Sequence, residues 1–447
     1  MRAITGYCCV LFFLTLGPGC RQSASQPAAN EAKASAPAED AKANASPART
    51  KTQPTPSPDG LSNLAAALGI PKEMPLPDGL VPGGDCPQPD PDGAQQIPAQ
   101  ASAVIPLQEG LTLAEIWTRS RQEPDYECLT QVKAITAVGI DTTLSCDYPP
   151  RRGPLERRIC WADLRRARMV HTAYGAVKVI SASGEEPETI TGATAFSLSS
   201  EKFAELKRTG AMTHRYVELG PSGQLSKDAV GEFRVAGRET MAVIVNDRPI
   251  DLPVIKARGT LKWWLGGERL VTEDTLVVLD DELFPLLIDQ QSSNETLGSR
   301  IQFSKITYPR EGRASSGGAL NLGGGSLEEG LLENSRVDVY GIYFDFNSDR
   351  IRPESEPVLG EIGSILQRHP DWRLSIEGHT DNVGGNGQYN LELSRRRSEA
   401  VRVALVKRFG ISADRLSSGG YGAAAPKDTN DTPKGRARNR RVELIRR

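Results

Sequence analysis

Residues 373–409 read RLSIEGHTDNVGGNGQYNLELSRRRSEAVRVALVKRF. The opening RLSIEG alternates polar and apolar residues, the two-residue period of a strand. His379-Thr380-Asp381-Asn382-Val383-Gly384-Gly385 is polar and glycine-rich and reads as a loop. A long helix runs from about Gln388 to Phe409, and Gly410 supplies the stop. Working outward, Val337–Phe346 (VDVYGIYFDF) is apolar and β-prone, which predicts a buried strand. Pro353 sits where the first turn of a helix accepts proline. Val358, Leu359, Ile362, Ile365 and Leu366 follow at helical spacing up to His369-Pro370. Leu416–Tyr421 and Arg441–Ile445 give short strands, and Leu327–Asn334 a helical lead-in. The βαβα order predicts an α+β fold over 336–447, a mixed sheet with helices on one face.

Six blocks in this region carry a family resemblance: IYFDFNSDRIRPES at 342–355, IEGHTDNVG at 376–384, YNLELSRRRSEAVR at 389–402, ISADRLSSGGYG at 411–422, Pro426, and GRARNRRVEL at 435–444. Together they resemble the OmpA-like peptidoglycan-binding domain shared with Pal and MotB. Ser398 stands where that family usually has Ala, a small replacement. The resemblance implies a non-catalytic domain that binds the diaminopimelate end of peptidoglycan stem peptides and needs no cofactor. It carries the ligand aspartate onto Asp381 and the ligand arginine onto Arg397. Asn390 follows as a helper, and Phe344, Asp345, Asn347 and Ser348 as a pocket wall.

The chemistry is consistent with those roles. The free end of diaminopimelate is a zwitterion, an ammonium and a carboxylate on one carbon. Reading it takes one anion and one cation held rigidly a short distance apart. Asp381 follows directly on the strand. Asn390, Ser394 and Arg397 are spaced i, i+4 and i+7, on one helix face. Arg395 and Arg396 read as a solvated basic face, and His379 and Thr380 as residues that shape the loop. Asn439 and Arg440 read as structural partners that hold the C-terminal segment. The 336–447 domain has 20 basic and 15 acidic residues. That balance suits an anionic wall polymer.

Residues 101–310 predict a β-rich domain, an antiparallel meander or open barrel. Strand-like runs are Tyr126–Thr136, Val177–Ser181, Met241–Val245, Thr260–Trp264, Thr275–Leu279, Leu286–Ile288 and Arg300–Tyr308. Ala162–Arg168 and Glu201–Arg208 read as short helices. No nucleophile elbow, P-loop or H-E-x-x-H is present. Asp280-Asp281-Glu282 reads as an acidic turn. Trp263 and Trp264, as strand neighbours, should place one ring in the core and one outside.

Before that domain, residues 1–19 form a secretory signal, with the apolar run Tyr7–Leu16 too short to span a bilayer. Cys20 follows, as at the bacterial lipoprotein processing site, with Gly17 where that family usually has an aliphatic residue. The resemblance implies lipidation of Cys20. Arg21 after it, in place of the Asp that retains such proteins in the inner membrane, implies the periplasmic face of the outer membrane. Residues 20–60 form an Ala/Pro/Ser-rich linker too poor in apolar residues to fold, although Leu61–Leu68 suggests a short helix. Residues 61–100 are Pro-rich, and 311–335 combine a Gly/Ser-rich linker with the lead-in helix. Cys86, Cys128, Cys146 and Cys160 are disulfide candidates for an oxidising compartment. Three connectivities are possible. Cys146 and Cys160 flank the turn DYPPRRGP and are expected to pair, leaving Cys86 with Cys128. Four scattered histidines and no C-x-x-C give no metal site.

Composition bounds the function. The 447 residues carry 54 basic and 56 acidic side chains, a net −2, which argues against a nucleic-acid binder. Ten Phe, five Trp and ten Tyr are few for the girdles of a membrane barrel. The whole reads as an outer-membrane lipoprotein that links that membrane to peptidoglycan. Its middle domain is open to other envelope partners. The rival reading is an envelope enzyme whose middle domain acts on wall or lipid while the last domain positions it. A flagellar-stator part would need an N-terminal transmembrane helix, and none is visible.

Overall fold

The computed structural model describes residues 75–88, 104–118, 126–146, 154–171, 187–219, 225–265, 268–293, 300–309, 327–383 and 385–447. The signal, Cys20, the 20–60 linker, the 61–68 helix, the Val177–Ser181 strand and the 311–326 linker lie outside them.

The β-rich part comprises β1 (Val81–Pro82), β2 (Thr112–Thr118), β3 (Tyr126–Ile135), β4 (Gly139–Cys146), β5 (Leu155–Cys160), α1 (Trp161–Arg166), β6 (Met169–His171), β7 (Glu188–Thr191) and β8 (Ala193–Thr194). Then come α2 (Ser200–Thr209), β9 (Ala211–Leu219), β10 (Leu225–Val245), β11 (Arg248–Leu265), β12 (Glu268–Leu279), β13 (Leu287–Ser292) and β14 (Arg300–Thr307). From β9 to β14 each strand pairs antiparallel with the next, and β14 continues into β2–β3–β4–β5. A parallel contact, Ile244 beside Lys305, brings β14 back onto β10, so β10 to β14 close into a ring. The meander and the barrel of the sequence reading are thus parts of one sheet. Asn246 and Asp247, at φ 45° and 68°, make the two-residue turn that joins the longest hairpin, β10–β11.

The Pro-rich segment joins this sheet. Val81 and Pro82 pair with Thr191 and Ile190, and Leu80 and Cys86 are buried. The sheet and its core therefore take in residues 75–88 as well as described residues from 104 onward. Asp281 caps its own turn, accepting the amides of Leu283 (2.9 Å) and Phe284 (3.2 Å). The Trp263 ring packs against the core, and its Nε1 donates to Thr272 Oγ1 (2.8 Å).

All four candidate cysteines are bridged, but as Cys86–Cys160 and Cys128–Cys146. The expected Cys146–Cys160 pair is corrected by register. β4 and β5 do pair antiparallel on either side of DYPPRRGP, with Leu144 opposite Leu155, but Cys160 then lies opposite Gly139. Cys146 is seven residues further along β4, roughly 23 Å away at the rise of a strand. It instead lies directly opposite Cys128 on β3.

The C-terminal part comprises α3 (Leu327–Asn334), β15 (Arg336–Val339), α4 (Glu356–Arg368), β16 (Leu374–His379), α5 (Gly387–Phe409), β17 (Leu416–Gly422), α6 (Pro433–Asn439) and β18 (Val442–Arg446). Its sheet runs β15–β18–β16–β17, with β16–β17 parallel and the other pairs antiparallel. Asn386 caps α5 by accepting the Tyr389 amide (2.8 Å), and Gly410 at φ 68° ends it. The predicted strand 337–346 stops at Val339. The amides of Tyr340 (2.5 Å) and Gly341 (3.1 Å) turn away to Asp247 of the β10–β11 turn.

That contact belongs to an interface that joins the two parts into one unit, Ser57–Arg447. Strand alternation supplies its residues. On β3, Cys128 and Thr130 face inward while Glu127 and Leu129 face the C-terminal part. A bulge between Phe303 and Lys305 turns Lys305 outward too, beside Ala114. Ala114, Leu129 and Tyr343 form a small shared core, with Lys305 Nζ 5.2 Å above the Tyr343 ring. Glu127 lies 3.3 Å from Lys305 and 3.7 Å from Arg440. Beside it, Ser145 Oγ donates to Glu354 Oε1 (2.6 Å) and Arg352 Nη2 donates to the Ser145 carbonyl (3.0 Å). Burial pushes the Glu127 carboxyl up, but Lys305, Arg440 and Arg352 outweigh it and hold it down at about 2.

Glu127→Gln strands Lys305 as a buried cation without its closest anion, which costs about 3–5 kcal/mol. Urea denaturation should show that loss, and Lys305→Met in the same chain should recover most of it. A loss under about 1 kcal/mol would contradict the docking described. Because the folded carboxyl titrates below its ordinary 4.5, the stabilisation is complete above pH 4.5 and fades as pH falls toward 2.

Candidate functional site

The loop after β16 is shaped by main-chain bonds: Thr380 N donates to the Gly422 carbonyl (2.9 Å) and His379 N to that of Arg441 (3.0 Å). Asp381 then folds back. Its Oδ1 accepts the Val383 amide (3.0 Å) and its Oδ2 accepts Arg440 Nη1 (2.8 Å). Helix α5 lies close on the sheet because Gly378 and Gly420 face it. A Cβ on Gly378 would stand 2.2 Å from the Ser394 carbonyl oxygen, and one on Gly420 2.4 Å from Arg395 N. This approach lets Ser394 Oγ accept the Gly422 amide (2.9 Å) and Asn390 Nδ2 donate to the Asp381 carbonyl (3.3 Å).

Arg397, three residues beyond Ser394, reaches the loop after β15. Its Nε donates to the Ser348 carbonyl (2.9 Å), its Nη2 lies 3.5 Å from that of Asp345, and the guanidinium covers the Phe344 ring at 4.9 Å. Asn347, at φ 56°, accepts the Tyr389 hydroxyl. The Asp345 carboxylate pairs with Arg350 (2.8 Å), so Asp345 serves Arg397 through its backbone.

The structure thus brings Asn390 to Asp381, and Phe344, Asp345, Asn347 and Ser348 around α5. Arg397 and Arg440 line one cavity with His379, Tyr343, Glu127 and Lys305. Through Arg440 that cavity connects to Asp381. Arg395 pairs with Glu392 on the exposed helix face (2.8 Å), as expected of a solvated residue. Asn439 does hold the C-terminal segment, accepting the amides of Lys427 (2.8 Å) and Asp428 (3.0 Å). Arg440 holds it too, through ion pairs that reach further. It stands between Asp381 and Glu127, a long-range contact that no local pattern in GRARNRR announces.

One grouping the sequence reading missed is Glu377, His379 and Glu443, buried on β16 and β18 and close enough to share a metal ion. Glu443 already faces Arg336 (3.2 Å), Arg441 (3.8 Å) and Lys427 (3.9 Å), as well as His379 Nε2 (3.3 Å). The His379 contact, helped by these cations, keeps its carboxyl below the usual range. A divalent ion would have to displace that charge, so the group fits an ion-pair network better than a metal centre.

Residues 343–440 match the OmpA family. The C-terminal domain is an OmpA-family domain. It is 38% identical over 102 residues to outer membrane porin F of Pseudomonas aeruginosa, covering 23% of this chain and 29% of that protein. It is also 38% identical over 104 residues to the peptidoglycan-binding protein ArfA of Mycobacterium tuberculosis, covering 23% of this chain and 31% of that one. The chain thus spans under a third of either relative's length. Among solved structures, the peptidoglycan-associated lipoprotein from Burkholderia pseudomallei is 31% identical, with 24% of this chain and 88% of that one covered and a TM-score of 0.22.

Proposed function

We propose that this chain is a non-catalytic cell-envelope protein that holds peptidoglycan through its OmpA-family domain. The stem-peptide diaminopimelate is the group it reads. The observation that carries this is the pairing of roles around α5. Asp381 is an anion fixed by the Val383 amide, and Arg397 is a cation fixed by the Ser348 carbonyl and the Phe344 ring. Asp381 would take the ligand ammonium and Arg397 its carboxylate. Arg440 sits on Asp381 and must share that carboxylate with the incoming ammonium. Glu127 offers Arg440 a second carboxylate, so its charge stays compensated when the ligand binds. The envelope setting is supported by the relatives' names, an outer-membrane porin and a peptidoglycan-binding protein. The two disulfides are consistent with an oxidising compartment. Anchoring through a lipid on Cys20 at the outer membrane completes the reading.

Truncating either member of the pair leaves one ligand charge desolvated without a partner, a cost of about 2–5 kcal/mol or roughly 30- to 4000-fold in affinity. Asp381→Ala and Arg397→Ala should each abolish co-sedimentation with purified diaminopimelate walls, while Arg395→Ala binds as wild type. Walls with lysine at that position should bind poorly. Full binding by a folded Asp381→Ala chain would refute the role given to Asp381. For the anchor, Cys20→Ser should lose lipid labelling and move to the soluble periplasmic fraction. Continued labelling and membrane sedimentation would rule out Cys20 as the lipid site.

A further inference from the structure

The inner face of the β-rich domain encloses a cavity that the wall-binding reading does not use. Three rows of directly opposed residues cross its floor: Phe303–Glu115–Cys128–Cys146, Leu113–Thr130–Leu144–Leu155, and Val132–Thr142–Arg157. Trp117, Phe196, Leu287 and Ile301 help enclose it, and its lining is mostly apolar. A guanidinium and a carboxyl nevertheless line it, beside the buried Tyr216 hydroxyl. Arg157, on β5, is 4% exposed. Its Nη atoms meet His171 Nδ1 (3.2 Å) and the carbonyls of His171 (3.3 Å), Ala193 (3.3 Å) and Thr194 (3.4 Å), while its Nε has no partner among the described residues. None of these partners is an anion. Asp163 and Glu188 act on the guanidinium only through space. Glu115, on β2, is 7% exposed and its carboxylate accepts Trp117 Nε1 (3.0 Å).

A buried cation with no contacting counter-ion among the described residues is costly unless a partner arrives. A purely structural strut for three carbonyls needs no charge and no cavity beside it. Glu115 and Arg157 lie three strands and four residues of register apart, about 20 Å along the sheet, with apolar wall between them. Such a lining would desolvate the amides of a wall peptide without replacing their hydrogen bonds, whereas it suits hydrocarbon. Burial pushes the Glu115 carboxyl up to about 7, so it is largely neutral in mildly acidic solution and can donate or accept there.

We propose that the interior of the β-rich domain binds a small amphiphile, a hydrocarbon body with one carboxylate head, the head taken by Arg157 and the body by the apolar wall between Arg157 and Glu115. The OmpA-family domain would then hold the wall while the β-rich domain holds a lipid-like acid, two ligands on opposite faces of β3.

The test is calorimetric titration of the full chain with decanoate below its micellar concentration, beside decanol as the same body without the charge. Saturable one-to-one binding of decanoate, at least tenfold tighter than decanol, is expected. Arg157→Met should erase that preference. Leu144→Trp, which fills the cavity floor, should abolish binding with the fold intact by circular dichroism. The proposal is overturned by no saturable binding of decanoate to wild type, by equal affinity for decanol, or by undiminished binding to folded Leu144→Trp. The decanoate–decanol comparison uses wild type, so it stands even if Arg157→Met fails to fold.

Discussion

A single buried carboxylate, Glu127, ties the molecule together. It is contributed by the β-rich domain, yet its cations come from both sides: Lys305 from its own sheet and Arg440 from the OmpA-family domain. Neither Lys305 nor Glu127 could be buried alone without a large desolvation penalty. Each therefore requires the other, and the pair requires the domain that covers it. Asp247, Ser145 and Tyr343 add neutral and charge-assisted bonds around this centre. The proposed wall site is built on the same frame, since Arg440 carries the link from Glu127 to Asp381.

The two-residue alternation of a strand makes this economy possible. On β3, Glu127 and Leu129 point to the docked domain, while Cys128 and Thr130 point to the inner face of the sheet. The Cys128–Cys146 bridge thus sits on the inner face, one residue from the ion cluster on the outer one. The bulge before Lys305 resets the alternation where it is needed. Without it, Lys305 would face the apolar interior and Glu127 would lose its nearest cation.

Much of the C-terminal domain was legible because its signals are local. The alternation of RLSIEG, the stop at Gly410 and the helical stripe from Val358 to Leu366 each lie within one element. Tertiary contacts decided what was misread. The apolar run after Val339 looks like strand, but Asp247 captures its amides from 93 residues away. Helix α6 was hidden in a basic run, although Thr432 and Pro433 form an ordinary helix start. Of β10 and β11, only the apolar ends Met241–Val245 and Thr260–Trp264 stood out. Their other halves are rich in charged residues such as Glu232, Arg234 and Arg258. The disulfides depended on register, which the turn DYPPRRGP suggests but does not set. Asp381 and Arg397 were found through family resemblance and helix spacing. Arg440 could be found only through the fold.

The proposed function depends most heavily on a charged pair, Asp381 before α5 and Arg397 midway along it, reading a zwitterion. Calorimetric titration of the full chain with a soluble stem tripeptide ending in diaminopimelate tests it directly, beside the same tripeptide with the free-end carboxylate amidated. Amidation removes the anion and leaves the shape and the ammonium in place. The account predicts binding of the acid form and at least ~30-fold weaker binding of the amide. Equal affinity for the two would contradict it, because Arg397 would then have no carboxylate to read.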